Sequence, residues 1–283
     1  MDKKICQMVT DRLIEEMEKG IIPWNKPWHG TSSCISHTSG KPYSLVNQFV
    51  LGAPGEYITF NQCKAEGGSV TKGAKGKPVV FWKQTKIKET DPETGEEKEK
   101  LITLLKYYTV FHINDCEGIE AKWNVEEDRP RANPTQEAEA IVTAYQNREQ
   151  LRIDRTAISD RAYYSPSRDY ISVPSIEQYT ETAEYYSTLF HEMTHSTGHT
   201  SRLNRFTGKA ACAAFGSEEY SKEELIAEIG AASLVNYCGI ETRNSFRNST
   251  AYLQSWIRAL KNDPSMIISA AGKAEKAYAY IIG

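Results

Sequence analysis

The 283-residue sequence predicts an α+β protein of two domains, a mixed α/β first half and a mostly helical second half carrying a small sheet. Three observations predict it. The length is about twice that of a typical ~150-residue domain. Helical and strand-like patterns alternate in the first half, whereas 3.6-residue periodicity dominates the second. Between them, the charged run through Glu127 and Asp128 to Pro130 and Pro134 lacks any apolar period and reads as a linker. The expected division is therefore residues 1–127, a linker at 128–134, and residues 135–283. Hydrophobic residues make up 40% and charged residues 25%, the balance of a globular chain and not of a disordered one. A net charge of −3 excludes a global basic field. No apolar run approaches the ~20 residues of a membrane span. The N-terminus runs into Asp11, Glu15 and Glu16 with no apolar signal core, so a cytoplasmic location and no membrane partner are expected. The six cysteines, at 6, 34, 63, 116, 212 and 238, include no CxxC pair and read as reduced thiols.

In chain order, Ile5, Val9, Leu13 and Met17 recur at helical spacing, with Gly20 as a stop. The runs Pro78–Trp82 and Leu101–Ile113 are rich in β-branched and aromatic residues, and the Asp91–Gly95 turn between them predicts a long hairpin. From Phe60 to Lys88, lysines 64, 72, 75, 77, 83, 86 and 88 face one acid, Glu66, a local charge suited to a polyanion. In the second half, Asn133-Pro134 offers an N-cap and a first helical residue. Arg161–Tyr164 and Tyr170–Val173 read as short strands. Ser175 with Gln178 has capping-box spacing, opening a helix whose apolar face runs through Phe190 to a stop at Gly198. Further helices are expected at residues 221–239 and in two pieces across 249–282.

The most informative run is His191-Glu192-Met193-Thr194-His195. On a helix, residues i and i+4 share a face one turn apart, so both imidazoles can reach one tetrahedral ion while Glu192 stands beside the open position as a base. A third ligand must come from elsewhere. Glu224 and Glu228 share a face by the same spacing, one as ligand and the other accepting a ligand's N–H from outside. Ser221 with Glu224 also fits a capping box, which would leave Glu228 as the ligand, and His199 is a third alternative. Zn²⁺ suits this donor set, with Mn²⁺ or another divalent ion as alternatives. The implied chemistry is metal-assisted amide hydrolysis of a protein substrate, and the rival is a structural metal site in a non-catalytic protein.

The motif His191–His199, followed by Ser201-Arg202-Leu203-Asn204-Arg205, by Glu223–Gly230 and by Tyr252–Trp256, resembles the zincin-type metallopeptidase domain of the ArdC antirestriction family. The first half is similar too, through Gly20-x-x-Pro23-Trp24-x-x-Pro27-Trp28, Gly40–Tyr43, the glycine-lysine run Gly67–Gly76 and Tyr107–Phe111. The family pattern has a glycine soon after Tyr43, where this chain has Ser44-Leu45-Val46-Asn47. The resemblance implies a single-stranded-DNA-binding first domain and a metal-dependent, peptidase-like second domain, carried on mobile elements to evade restriction. A related first module occurs in TraC-type plasmid primases. Within that reading, Lys72, Lys75, Lys77 and Lys83 supply phosphate contacts, and Trp24, Trp28 and Trp82, with Phe81, supply stacking surfaces. The strand Tyr170–Val173 is the expected edge for pairing an extended substrate.

Overall fold

The computed structural model describes residues 1–25, 33–90, 97–123, 133–206, 218–240 and 250–283. Helix α1 (Lys3–Glu18) starts where the Asp2 carboxylate accepts the backbone N–H groups of Lys4 and Ile5, and it buries Ile5, Val9, Leu13 and Met17. Gly20, at φ +85°, then turns the chain in a conformation that side chains resist.

Strands β1 (Cys34–Ser36), β2 (Gly55–Thr59), β4 (Lys77–Thr90) and β5 (Glu97–His112) form one sheet in the order β1-β2-β5-β4. The expected hairpin is its dominant feature: β4 and β5 pair in unbroken antiparallel register from Lys77↔Val110 to Thr90↔Glu97. The turn expected at 91–95 lies outside the described residues. Because β4 is an edge, its outer backbone groups need other partners. Helix α2 (Leu45–Leu51) supplies one: the Asn47 amide donates to the Val80 carbonyl at 2.8 Å and accepts the Val80 N–H at 2.8 Å. The segment that departs from the family's glycine pattern thus opens a helix, with Ser44 at its N-cap. Helix α3 (Phe60–Ala65) and the small ribbon of β3 (Ser69–Val70) with β6 (Cys116–Glu117) complete this half.

Helix α4 (Pro134–Glu149) begins as expected, with the Asn133 side chain accepting the Gln136 N–H. Most of the expected linker, residues 128–132, lies outside the described residues. A three-stranded sheet follows: β7 (Arg152–Ala157), β8 (Tyr163–Ser165) and β9 (Tyr170–Pro174), in the order β7-β9-β8. Strand β9 is therefore central, paired on both sides, and the expectation that Tyr170–Val173 offers a free edge is corrected. The strand overlooked in the sequence, β7, occupies its other side.

Helix α5 (Thr182–Ser196) also starts later than Ser175. Ser175 and Gln178 instead build a single 3-10 turn, and the Gln178 amide donates to the Ala157 carbonyl at 2.8 Å, a tertiary tie and not a helix cap. Helices α6 (Glu218–Cys238), α7 (Thr250–Asn262) and α8 (Met266–Ile282) follow at the expected places. Cys6, Cys34, Cys63, Cys116 and Cys238 are in no disulfide among the described residues, and Cys212 lies outside them.

The main apolar core ignores the sequence division. Val9, Leu13 and Met17 of α1 and Phe49 of α2 pack in one cluster with Leu225, Leu253, Trp256, Leu260 and Ile267 from α6, α7 and α8. A second cluster joins α4, β9, α5 and α6 and surrounds the metal motif's helix.

Candidate metal centre

Helix α5 carries its chemistry in its last turns because its other faces are committed to the core: Tyr185, Tyr186, Leu189, Phe190 and Met193 are all at most 1% exposed. Its C-terminus is closed by local bonds, Ser196 to the Met193 carbonyl at 2.6 Å and Thr197 to the Thr194 carbonyl at 2.7 Å. Gly198 is needed at the exit, since a Cβ there would meet the Phe206 ring at 2.7 Å. Gly230 plays the matching part on α6. A Cβ at that position would stand 2.5 Å from Thr194 Cγ2, so its absence lets α6 approach α5 closely. That approach sets three carboxylates of α6 against the two histidines.

His191 Nε2 and His195 Nε2 lie 3.0 Å apart. The Glu224 carboxylate reaches both, Oε2 at 3.5 Å from His191 Nε2 and Oε1 at 3.4 Å from His195 Nε2. Two donors bound to one tetrahedral ion at ~2.0–2.1 Å stand ~3.3 Å apart, so these separations, with one Glu224 oxygen turned to each imidazole, lie close to the donor spacing of a metal-ligand set. The three residues are also the metal-competent group found among the described residues. The outward nitrogens face carboxylates as well. His191 Nδ1 is 3.2 Å from Glu228 Oε1, and His195 Nδ1 is 3.4 Å from Glu223 Oε1. Such partners fix ring orientation and tautomer.

The alternatives left open by spacing take different places in this geometry. Ser221 lies inside α6, which begins by Glu218, so no capping box holds Glu224. Glu228 is on the outer side of His191. His199 turns away, its Nδ1 2.8 Å from Ser201 Oγ. Glu192 is buried, 8% exposed, beside the histidines on the same helix.

Sequence reasoning gave no role to three residues. Glu223 is clamped by Arg205, at 2.6 Å through Nη2 and 3.1 Å through Nε. Arg205 is anchored in turn on Thr197 Oγ1 at 2.6 Å and the Thr194 carbonyl at 2.8 Å. The adjacency of Glu223 to Glu224 was the available signal. The third is Tyr220, one turn before Glu224, whose phenol is pushed up to about 12 by burial and by the charges of Glu224 and Glu192.

Charge dominates the site. Burial opposes protonation of both histidines, yet Glu224 and Glu228 raise the His191 pKa, while Glu223 and Glu224 raise that of His195 to about 10. Burial works against the Glu224 charge, but the two imidazoles hold its carboxyl far below the usual range. For the metal-free chain, a histidine pKa raised above its ordinary 6.5 stabilises the fold below that pH. This contribution is expected to fade as pH climbs through about 10, which a metal-free thermal melt against pH reads.

The residues expected to meet DNA are not one patch. Lys72 and Lys75 are exposed in the loop before β4, and Lys83 is exposed on β4 beside Trp82, which is 52% exposed. Lys77 is not available: its ammonium donates to the Leu51 carbonyl at the C-terminus of α2, where a cation offsets the helix dipole. Trp24 is 1% exposed and wedged between Phe49 and Trp256, so it cannot stack on a base. The turn Pro23–Asn25 carries it into the core, where a large apolar ring is worth more than on the surface. Trp28 lies outside the described residues.

Two family models match the chain: the N-terminal domain of anti-restriction factor ArdC over residues 3–111 and a zincin-like metallopeptidase over residues 136–273. A DNA primase TraC of Escherichia coli is 34% identical over 99% of this chain, which spans only 27% of that relative's length. The uncharacterized protein y4eC of Sinorhizobium fredii is 31% identical, with 96% of this chain and 89% of the relative covered. Crystal structures of the antirestriction protein ArdC from plasmid R388 cover 99% of this chain and 97% of theirs at a TM-score of 0.71. The metal-free form is 38% identical and the Mn(II)-bound form 36%.

Proposed function

The chain belongs to the ArdC family of antirestriction proteins, with a zincin-like metallopeptidase domain in its second half, and on that premise we propose a double function. It binds single-stranded DNA through its first half, and it hydrolyses a peptide bond at a divalent-metal site in its second, in the cytoplasm of a cell receiving a mobile element. The functional division falls between residues 127 and 135, although the apolar core is common to both sides.

The observation that carries the hydrolytic reading is the convergence of His191 Nε2, His195 Nε2 and Glu224 at ligand spacing, with buried Glu192 beside them. Three protein ligands leave a tetrahedral ion one open position, the pattern of a catalytic and not a structural site. Zn²⁺ and Mn²⁺ both fit two imidazoles and a carboxylate. When bound, the ion would lower the pKa of a water and polarise the scissile carbonyl. Glu192 is placed to act as the base: its carboxylate would take a proton from the attacking water as the C–O bond forms and give it to the amine nitrogen as the C–N bond breaks. Glu223 and Glu228 hold the ligand rings in register, and Arg205 holds Glu223. Tyr220 orients Glu224 through its hydroxyl.

Calorimetric titration of the metal-free chain with Zn²⁺ or Mn²⁺ tests the site. One ion per chain is expected, with no measurable binding by His191→Ala, His195→Ala or Glu224→Ala; full binding by any of the three rejects the ligand set. Glu223→Gln or Arg205→Ala should weaken affinity roughly 10–100-fold without abolishing it. Because a ligating imidazole nitrogen must be free of its proton, affinity should rise with pH and uptake at neutral pH should release protons into the buffer.

The DNA reading is supported by Lys72, Lys75 and Lys83 with exposed Trp82 and Phe81 on the edge strand. Phosphate contacts made by lysine weaken steeply with salt, and aromatic faces accept any unpaired base. Lys72→Ala/Lys75→Ala/Lys83→Ala should bind an oligo-dT probe more weakly at ~50 mM salt and flatten the salt slope by about 2, at roughly 0.7 per phosphate contact. Unchanged binding would remove these lysines from the contact surface.

A further inference from the structure

Beside the edge strand β4, next to where Asn47 of α2 engages Val80, stands α8, and between the strand and α8 lies a cleft of 830 Å³. Its walls come from both halves of the sequence. One wall is the hairpin, with Phe81, Trp82 and Tyr108, and the other is a face of α8 that includes Gly272, Lys273 and Lys276. Phe81 and Trp82 are neighbours on a strand and so point to opposite sheet faces. Both line the cleft because it wraps the strand's edge.

Three features give this cleft a chemistry. The aromatic residues are left in solvent, Phe81 at 40%, Trp82 at 52% and Tyr108 at 39% exposure, and the Phe81 and Tyr108 rings already associate at 5.6 Å. Lys273 and Lys276 lie one turn apart and exposed on α8, and neither enters an ion pair among the described residues. The floor is open at Gly272, where an added Cβ would meet nothing within 4 Å. One acid, Glu275, shares the lining with the two lysines; it is half-buried on α8, and burial raises its pKa.

We propose that this cleft is a single-stranded-DNA site built jointly by the two halves, with unpaired bases against Phe81, Trp82 and Tyr108 and the backbone phosphates on Lys273 and Lys276 of α8. The proposal rests on the single-stranded-DNA reading above and extends it into the second half of the chain. Duplex DNA does not suit the site, because its bases are already stacked on one another and cannot offer faces to a protein ring. Bound strand would bridge the hairpin and the metallopeptidase-like half, so that DNA occupancy and the position of α8 become linked.

The test is anisotropy of a fluorescein-labelled oligo-dT of about 15 nucleotides with the full chain, between ~50 and ~200 mM salt. Lys273→Ala/Lys276→Ala should weaken binding several-fold and flatten the salt slope by about 1.4, twice the ~0.7 expected per single-strand phosphate contact. Trp82→Ala should cost roughly tenfold. Both variants should melt like the wild type, since each changed side chain is exposed. Photo-crosslinking of an oligonucleotide carrying 5-iodouracil should place adducts on Phe81, Trp82 or Tyr108. If the α8 double variant keeps wild-type affinity and slope while Lys72→Ala/Lys75→Ala/Lys83→Ala loses affinity, DNA binds elsewhere and the cleft proposal is overturned with the DNA reading intact. If the wild type itself does not bind at ~50 mM salt, the DNA reading fails and the cleft with it.

Discussion

Glu192→Gln should keep its full complement of metal and lose peptide hydrolysis by roughly 10²–10⁴-fold, the usual loss when a positioned general base is removed. The substitution is nearly isosteric, so the ligand triangle of His191, His195 and Glu224 is left in place. What disappears is the carboxylate oxygen that accepts the proton, since an amide is no base. DNA binding should be unaffected, because the hairpin and α8 surfaces do not include Glu192. The variant therefore separates the two activities in a restriction-challenged transfer assay. If antirestriction acts by occupancy of entering single strands, Glu192→Gln protects like the wild type while Lys72→Ala/Lys75→Ala/Lys83→Ala fails. If it acts by proteolysis, the outcomes exchange. We expect occupancy to carry most of the protection, since anything bound to the strand lowers the free fraction that a nuclease can use. Loss of protection by Glu192→Gln with metal and DNA binding intact would reverse that expectation.

The candidate metal centre was legible because its signal is local. His191 and His195 are one helical turn apart whatever the rest of the chain does, and Glu224 and Glu228 share a face for the same reason. Which of the two glutamates faces both Nε2 atoms was not legible. That choice depends on how α6 is rotated against α5, and the rotation is fixed by the close approach at Gly230 against Thr194, a contact between residues 36 positions apart in sequence. The hairpin was legible from its composition, as were the helices α1, α4, α6, α7 and α8. The start of α5 was misread because Ser175 and Gln178 have capping spacing but use their polar groups for a tertiary tie to β7. The edge status of β9 was misread for a related reason. Pairing partners are a property of topology, and the weakly patterned Arg152–Ala157 gave no warning that it would cover that side. Lys77 shows the same limit among the lysines, since only the packing of α2 reveals the carbonyl that claims it.

Two tryptophans that look equivalent in the sequence should behave in opposite ways. Trp24→Ala should destabilise the chain by about 3–5 kcal/mol, the range for removing a large aromatic from a packed core. Its ring meets Phe49 of α2 at 6.4 Å and Trp256 of α7 edge-on at 6.3 Å, so it joins elements from both halves of the sequence. Truncation leaves a cavity at that junction, and neither half can close it without shifting the other. The consequence reaches the metal centre, because Leu225 and Ile229 of α6 belong to the same cluster and α6 carries Glu223, Glu224 and Glu228. A thermal melt should show one transition lowered by roughly 10 °C, at ~2–4 °C per kcal/mol for a unit of this size. Metal binding and DNA binding should be lost together at the new midpoint. Trp82→Ala, at an exposed position, should leave the midpoint within the error of a surface substitution and weaken DNA binding alone. If Trp24→Ala melted like the wild type but bound DNA tenfold more weakly, its place in a shared core would be wrong, and the two halves would have to be treated as independently folding units.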